Sequence, residues 1–204
     1  MTDKKASPIK NGSGFINIDF YARVTGGGSQ FPRIFIDFPR QKFNTIISRA
    51  TNRAGEHFRT IMLRSTAETY YVKQKDVRDS LTLRRAYGRD SFNFTLISRG
   101  KRRILAHYIQ NPKVNPGHKL EAWEFAGAVK RAGGLKKFRS AFFMNKGSHT
   151  VYIRKNNRPE QVMSPSIPQL MKNQRNVEEA TIEAQKVFEK RLRHELATQW
   201  GLTP

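Results

Sequence analysis

The sequence predicts an α+β fold: two long amphipathic helices packed on a mainly antiparallel β-sheet with basic hairpins, preceded by an extended N-terminal arm. Three observations lead there. Apolar residues recur at three- and four-residue spacing over 39–69 and again over 174–198, the period of a helix with one buried face. Between these stretches lie short segments of alternating apolar and polar residues, punctuated by Gly and Pro, as half-buried strands are. The third observation is charge. The 204 residues carry 38 Lys+Arg against 16 Asp+Glu, a formal net charge of +22, and nearly all of it lies outside the last helix. That length suits one domain with an appended arm, so the division expected is an arm over 1–38 and an α+β domain over 39–204.

The first 14 residues are polar and lack apolar periodicity. Two short apolar runs follow, Phe15 to Phe20 and Arg33 to Ile36, separated by a loop containing Gly26, Gly27 and Gly28. They are expected to pair with each other or with a neighbouring subunit. From Pro39 the period changes: Phe43, Ile46, Ile47, Ala50, Ala54, Phe58, Ile61 and Met62 mark a helix through residue 69, interrupted only by Gly55. Arg49 and Arg53 lie one turn apart on its opposite face and read as a solvated surface.

Residues 70–81 form a helical corner with Val72, Val77 and Leu81 as its apolar points. Leu81, Leu83, Phe92, Phe94 and Leu96 then alternate as strand residues, and Ser98-Arg99-Gly100-Lys101-Arg102-Arg103 separates 92–98 from 104–109, which predicts a β-hairpin with a basic tip. Pro112, Pro116 and Gly117 make a loop. A second β segment runs from Trp123 and Phe125 through a Gly133-Gly134 turn to 138–144, with a further strand over 151–154. Between Glu124 and Glu160 there is no acidic residue and there are nine bases. The Pro-punctuated 164–171 segment delivers the chain to the last helix, where Val177, Thr181, Ala184, Val187, Phe188, Leu192 and Leu196 form the apolar stripe. Six bases and five acids over 172–198 balance its polar face, which suits protein contact better than a polyanion.

The composition closes several routes to chemistry. Without cysteine there is no disulfide frame, thiolate cage or cysteine nucleophile. His57, His107, His118, His149 and His194 fall in no metal-ligand spacing. Asp76 and Asp79 lie three apart, the one arrangement suggestive of a nuclease carboxylate pair, yet Lys75 and Arg78 flank them as in a helical charge ladder. The glycine loop lacks the Lys-Ser or Lys-Thr ending of a phosphate loop, and there is no nucleophile elbow. No apolar run reaches the roughly 18–20 residues of a membrane span, and no apolar block of signal-peptide type opens the chain. The expectation is a non-enzymatic protein with no metal, no cofactor and no membrane partner, made in the host cytoplasm. The charge calls for a polyanion or an acidic protein. The candidate contacts are Arg99, Lys101, Arg102, Arg103, Lys130, Arg131, Lys136, Lys137 and Arg139.

The order of several strings carries a resemblance. ISRATNRAG on the long helix, YYVKQKDVRDSLTLRRA, LISRGKRRILAHY, RSAFFMNKGSHTVYIRK, SPSIPQLM and the final EKRLRHEL together resemble the minor tail protein Z family of tailed bacteriophages and prophages, over residues 40–196. The first 38 residues look like an extension on that pattern. The resemblance implies a structural tail-completion or neck protein in the virion, at the head-proximal end of a long tail. It also implies a homo-oligomeric ring, a hexamer, that meets the tail terminator and the head connector around the channel for genomic DNA. Exposed strand edges and apolar-faced helices suit such subunit addition. The basic hairpins would face either the DNA or an acidic ring next door. A second reading is a cytoplasmic, sequence-nonspecific nucleic-acid-binding protein without enzymatic activity.

Overall fold

A computed structural model describes residues 14–18, 40–87, 93–108, 126–134, 136–138, 141–143 and 150–199. The expected strand at Arg33 to Ile36, and Phe92, Ile109, Trp123, Phe125, Arg139 and 144–149, lie outside them. In chain order the described elements are β1 (Gly14–Ile18), α1 (Arg40–Thr69), α2 (Gln74–Ser80), β2 (Leu81–Arg84), β3 (Phe94–Ser98) and β4 (Arg103–Ile104). A 3-10 turn (Leu105–His107) follows, then β5 (Ala126–Gly127), β6 (Lys136–Lys137), β7 (Ala141–Phe143), β8 (Val151–Lys155), β9 (Arg158–Gln161), β10 (Met163–Ser164), α3 (Ile167–Met171) and α4 (Gln174–Gln199). Every strand pairing among the described residues is antiparallel, so the class is α+β as expected, with the strands shared among small sheets. The chain divides into two units, each discontinuous in sequence: a long-helix unit (14–63, 81–98, 172–204) and a strand-rich unit (64–80 and 99–171, with 1–13).

In the long-helix unit, Ile46, Ile47, Ala50, Ala54, Phe58 and Met62 form the buried stripe of α1, the last of them on its final turns there. Helix α4 buries a ladder at four-residue spacing, Ala180, Ala184, Phe188, Leu192 and Leu196. The two helices pack antiparallel: Arg49, early in α1, reaches Glu195, late in α4, at 3.5 Å, while His57, further along α1, lies beside Glu183, earlier in α4. Gly55 explains itself here. A Cβ at this position would stand 2.8 Å from Cγ of Phe94, so the missing side chain is the seat of the β3 phenyl ring, which also stacks at a tilt on Phe58 with centroids 5.7 Å apart.

Strand β3 is the centre of a three-stranded sheet in the order β1-β3-β2. Its register sets Ile16 opposite Leu96 and Ile18 opposite Phe94 on one side, and Leu83 opposite Leu96 on the other. Phe94 and Leu96 are buried, as the alternation predicts. After β2 the chain is held to α1 by Asn52, whose amide donates to the Ala86 carbonyl at 3.1 Å and accepts from the Ala86 N–H at 2.7 Å, a peptide-like pair.

This arrangement adds one pairing and corrects one expectation. The first run of the arm pairs with β3 of its own chain. The hairpin expected to join 92–98 to 104–109 does not form between the described residues of the two segments. Both edges of β3 are occupied by β1 and β2, so β4 finds its partner in β10, with Met163 opposite Ile104, and Leu105 donates to the Val162 carbonyl at 3.0 Å. The chain turns into the 3-10 element directly after.

The strand-rich unit has its own buried set: Tyr70, Val72, Val77, Leu105, Tyr108, Ala128, Val151, Ile167, Leu170 and Met171. The Gly133-Gly134 turn is observed, with β5 and β6 paired and Gly134 at φ +65°, where glycine has no steric penalty. Strands β7, β8 and β9 form a second three-stranded sheet, its β8–β9 turn made by Asn156 and Asn157, both at positive φ. Asn tolerates that conformation better than other side-chain-bearing residues.

Candidate basic groove

The candidate site is built on the segments around Arg102 and Lys130 in the strand-rich unit. The end of α1 positions the second of them. Tyr71 donates its N–H to the Val129 carbonyl at 2.9 Å and Tyr70 forms a bridge with Lys130, which pins residues 129–131 beside the helix terminus. Arg131 completes the join: its backbone N–H donates to the Thr69 carbonyl at 3.0 Å, its Nε to the Ala67 carbonyl at 3.1 Å, and its guanidinium lies 4.8 Å from the centroid of the Tyr71 ring. Carbonyls in the last turn of a helix lack intrahelical donors and carry the negative end of the macrodipole, so a cation there is stabilising.

The other wall comes from β4, β10 and the residues that lock them. Arg103 Nη1 donates to Asp76 Oδ2 at 2.6 Å, a half-buried ion pair between β4 and α2. Ser164 Oγ donates to the Arg103 carbonyl at 3.0 Å, and the hydroxyl of Tyr108, itself only 1% exposed, donates to the Pro165 carbonyl at 3.1 Å. Burial pushes the Tyr108 phenol above its ordinary range, with the Arg103 charge acting in the opposite direction, so it stays a neutral donor.

Between these walls is an open groove of about 580 Å³ lined by Tyr70, Arg102, Val129, Lys130, Met163, Ser164, Pro165, Gln169 and Leu170. Its character is mixed. Arg102 and Lys130, both exposed, supply positive charge, and Ser164 and Gln169 are polar. Tyr70, Val129, Pro165, Leu170 and the 44% exposed Met163 are largely apolar. A side chain as apolar as methionine left half in water beside cations fits a protein partner better than a bare phosphate chain.

The candidate cations therefore separate by role. Arg102 and Lys130 meet in the groove. Arg103 and Arg131 are engaged in holding the fold. Arg99, Lys101 and Lys136 are exposed, and Arg99 also ties its N–H to the Ser80 carbonyl at 2.9 Å. The side chain of Lys137 and all of Arg139 lie outside the described residues. Sequence reasoning missed Tyr70, Met163, Gln169 and Leu170, which reach the groove from distant points of the chain; the Pro-punctuated segment 164–171 was the one local signal, since it cannot be regular helix throughout. Asp76, half of the nuclease-like pair, is the partner of Arg103. No group of three or more His, Asp or Glu that could hold a metal occurs among the described residues, and none of their helices is long and apolar enough to cross a membrane. Comparison with known proteins finds no matching family model, no similar curated protein and no similar solved structure.

Proposed function

We propose that this chain is a non-enzymatic structural component of a phage virion, a tail-completion or neck subunit that assembles as a ring, a hexamer, and joins the head-proximal end of the tail to the head connector. The observation that carries the reading is the groove in which Arg102 and Lys130 flank an apolar floor with Met163 at its surface. That combination suits a segment of a neighbouring protein carrying an apolar side chain and an adjacent carboxylate, so of the two faces expected of the basic segments, the acidic neighbour is favoured over the DNA in the channel. The order of motifs over residues 40–196 that resembles minor tail protein Z supports the same assignment.

The test is charge reversal. Arg102→Glu with Lys130→Glu should abolish head-to-tail joining while leaving the circular dichroism spectrum of the purified chain unchanged, because neither side chain is buried. Particles of normal infectivity from that double variant contradict the reading.

A second reading keeps nucleic acid as the partner. It is favoured by the acid-free stretch between Glu124 and Glu160 with its nine bases. A phosphate-tracking surface loses affinity steeply and linearly in log salt, whereas docking on an apolar floor loses far less.

A further inference from the structure

A second cleft, of about 600 Å³, lies within the long-helix unit and belongs to neither the groove nor its proposed partner. Its two walls have the same spacing. Helix α1 contributes Arg53, Glu56, His57 and Thr60, and α4 contributes Val187, Lys190, Arg191 and His194. Each set follows i, i+3, i+4, i+7, one face over two turns, so two antiparallel helices present stripes of the same spacing to one trough, polar throughout except for Val187. The trough holds three permanent cations and two imidazoles against one carboxylate.

That carboxylate is already engaged. Glu56 Oε1 accepts from Arg85 Nη2 at 2.8 Å and Oε2 from Arg53 Nη1 at 3.3 Å. Glu183, an acid of α4 within the electrostatic reach of His57, is held by Lys186 at 2.7 Å, and Glu195 is held by Arg49. Among the described residues no carboxylate pairs with Lys190 or Arg191. Two adjacent cations therefore face an open cleft whose acids are spent elsewhere, with an imidazole from each helix that can donate an N–H whether neutral or charged.

We propose that this cleft binds a phosphate group, with Lys190 and Arg191 as its charged contacts and His57 and His194 as further N–H donors. Arginine offers a planar fork to tetrahedral oxyanions and lysine a compact charge beside it, the pairing phosphate sites use. The group can come from free phosphate or a small phosphorylated compound, or from the backbone of a nucleic acid.

Titration of the full-length protein with inorganic phosphate at constant ionic strength, followed by calorimetry and by the histidine ring signals in NMR, tests the proposal. It predicts saturable binding, with the signals of both His57 and His194 shifting. The Lys190→Gln, Arg191→Gln double variant should weaken binding by roughly tenfold or more, as losing two charge-assisted contacts requires. Glu56→Gln, which leaves Arg53 and Arg85 without their carboxylate, should tighten binding about two- to fivefold, a gain that damage to the fold does not produce. A matched loss of charge in the strand-rich unit, Lys101→Gln with Lys136→Gln, should change binding by less than about twofold. Competition by a single-stranded oligonucleotide without terminal phosphates identifies the backbone as the source, and lack of competition identifies a small phosphorylated ligand; both outcomes keep the site. Binding that fails to saturate, or that the control pair weakens as much as the cleft pair, overturns it.

Discussion

The two units handle charge differently. By sequence the strand-rich unit holds twenty-two Lys and Arg against seven Asp and Glu, while the long-helix unit holds sixteen against nine. In the long-helix unit Arg49, Arg53 and Arg85 all find carboxylates, at 3.5, 3.3 and 2.8 Å, but their side chains are about 60% exposed, so these pairs add little stability. In the strand-rich unit acids are scarce, and the one short pair, Arg103 with Asp76, is half-buried and joins a strand to a helix. The arginines paired in the long-helix unit stay in water, and so do both partners of Lys155–Glu160 in the strand-rich unit; Arg103 is the paired cation drawn out of it. The same contrast separates the cations by availability. Arg131 caps a helix while Lys130, its neighbour in the chain, lines a groove, and charge density along the sequence does not distinguish them.

The largest expected effect tests whether the long-helix unit rests on packing and not on its ion pairs. Phe94→Ala should cost about 3–5 kcal/mol in chemical denaturation, because a fully buried ring on Gly55 and Phe58 is lost. Gly55→Ala comes next. Helix propensity alone favours alanine by about 1 kcal/mol, yet a methyl 2.8 Å from the Phe94 ring should make the variant less stable than the parent by about 1–3 kcal/mol. A stabilised Gly55→Ala protein contradicts the seat assigned to that ring. The charge comparison itself is sharpened by two carboxylate variants. Asp76→Ala, which leaves Arg103 half-buried and unpaired, should cost about 1–2 kcal/mol, whereas Glu195→Gln should stay within about 0.5 kcal/mol. Arg131→Ala should cost about 1 kcal/mol through its lost hold on the α1 carbonyls, and Lys136→Ala nothing beyond about 0.5 kcal/mol.

Glu183→Gln carries the smallest effect and depends on pH. The hydrogen bond and charge of Lys186 hold the Glu183 carboxyl below its ordinary range. Its contribution is therefore present at pH values above the unfolded carboxylate range and is lost as pH falls through the folded value. A small destabilisation at neutral pH that disappears in acid is the expected result in thermal melts.

Much of the fold was legible in the sequence because its signals are local. The apolar stripes of α1 and α4, the Gly133-Gly134 turn and the Phe94, Leu96 alternation each depend on residues a few positions apart. The pairing of β4 was not legible, since Arg103-Ile104 follows β3 after a hairpin-like basic turn and only the occupation of both β3 edges sends it to β10, some sixty residues on. The division into two units was hidden for a related reason: both are discontinuous, and α1 contributes to each. For the site, the cationic character and the residues Arg102 and Lys130 were readable. The apolar floor was not, because Tyr70, Met163 and Leu170 are gathered by tertiary structure. Nor could the sequence show that Arg103 and Arg131 are committed to carbonyls and a carboxylate inside the protein.

The central claim is that the chain is a self-associating structural subunit whose basic groove meets protein. The most direct test is the light-scattering mass of the full-length protein, alone and with duplex DNA, at 0.15 and about 0.5 M salt, where screening shortens the reach of surface charge. The account predicts a closed homo-oligomer whose mass is the same at both salt concentrations and is unchanged by DNA at the higher one. A monomer that binds DNA at low salt and releases it steeply as salt rises would contradict it.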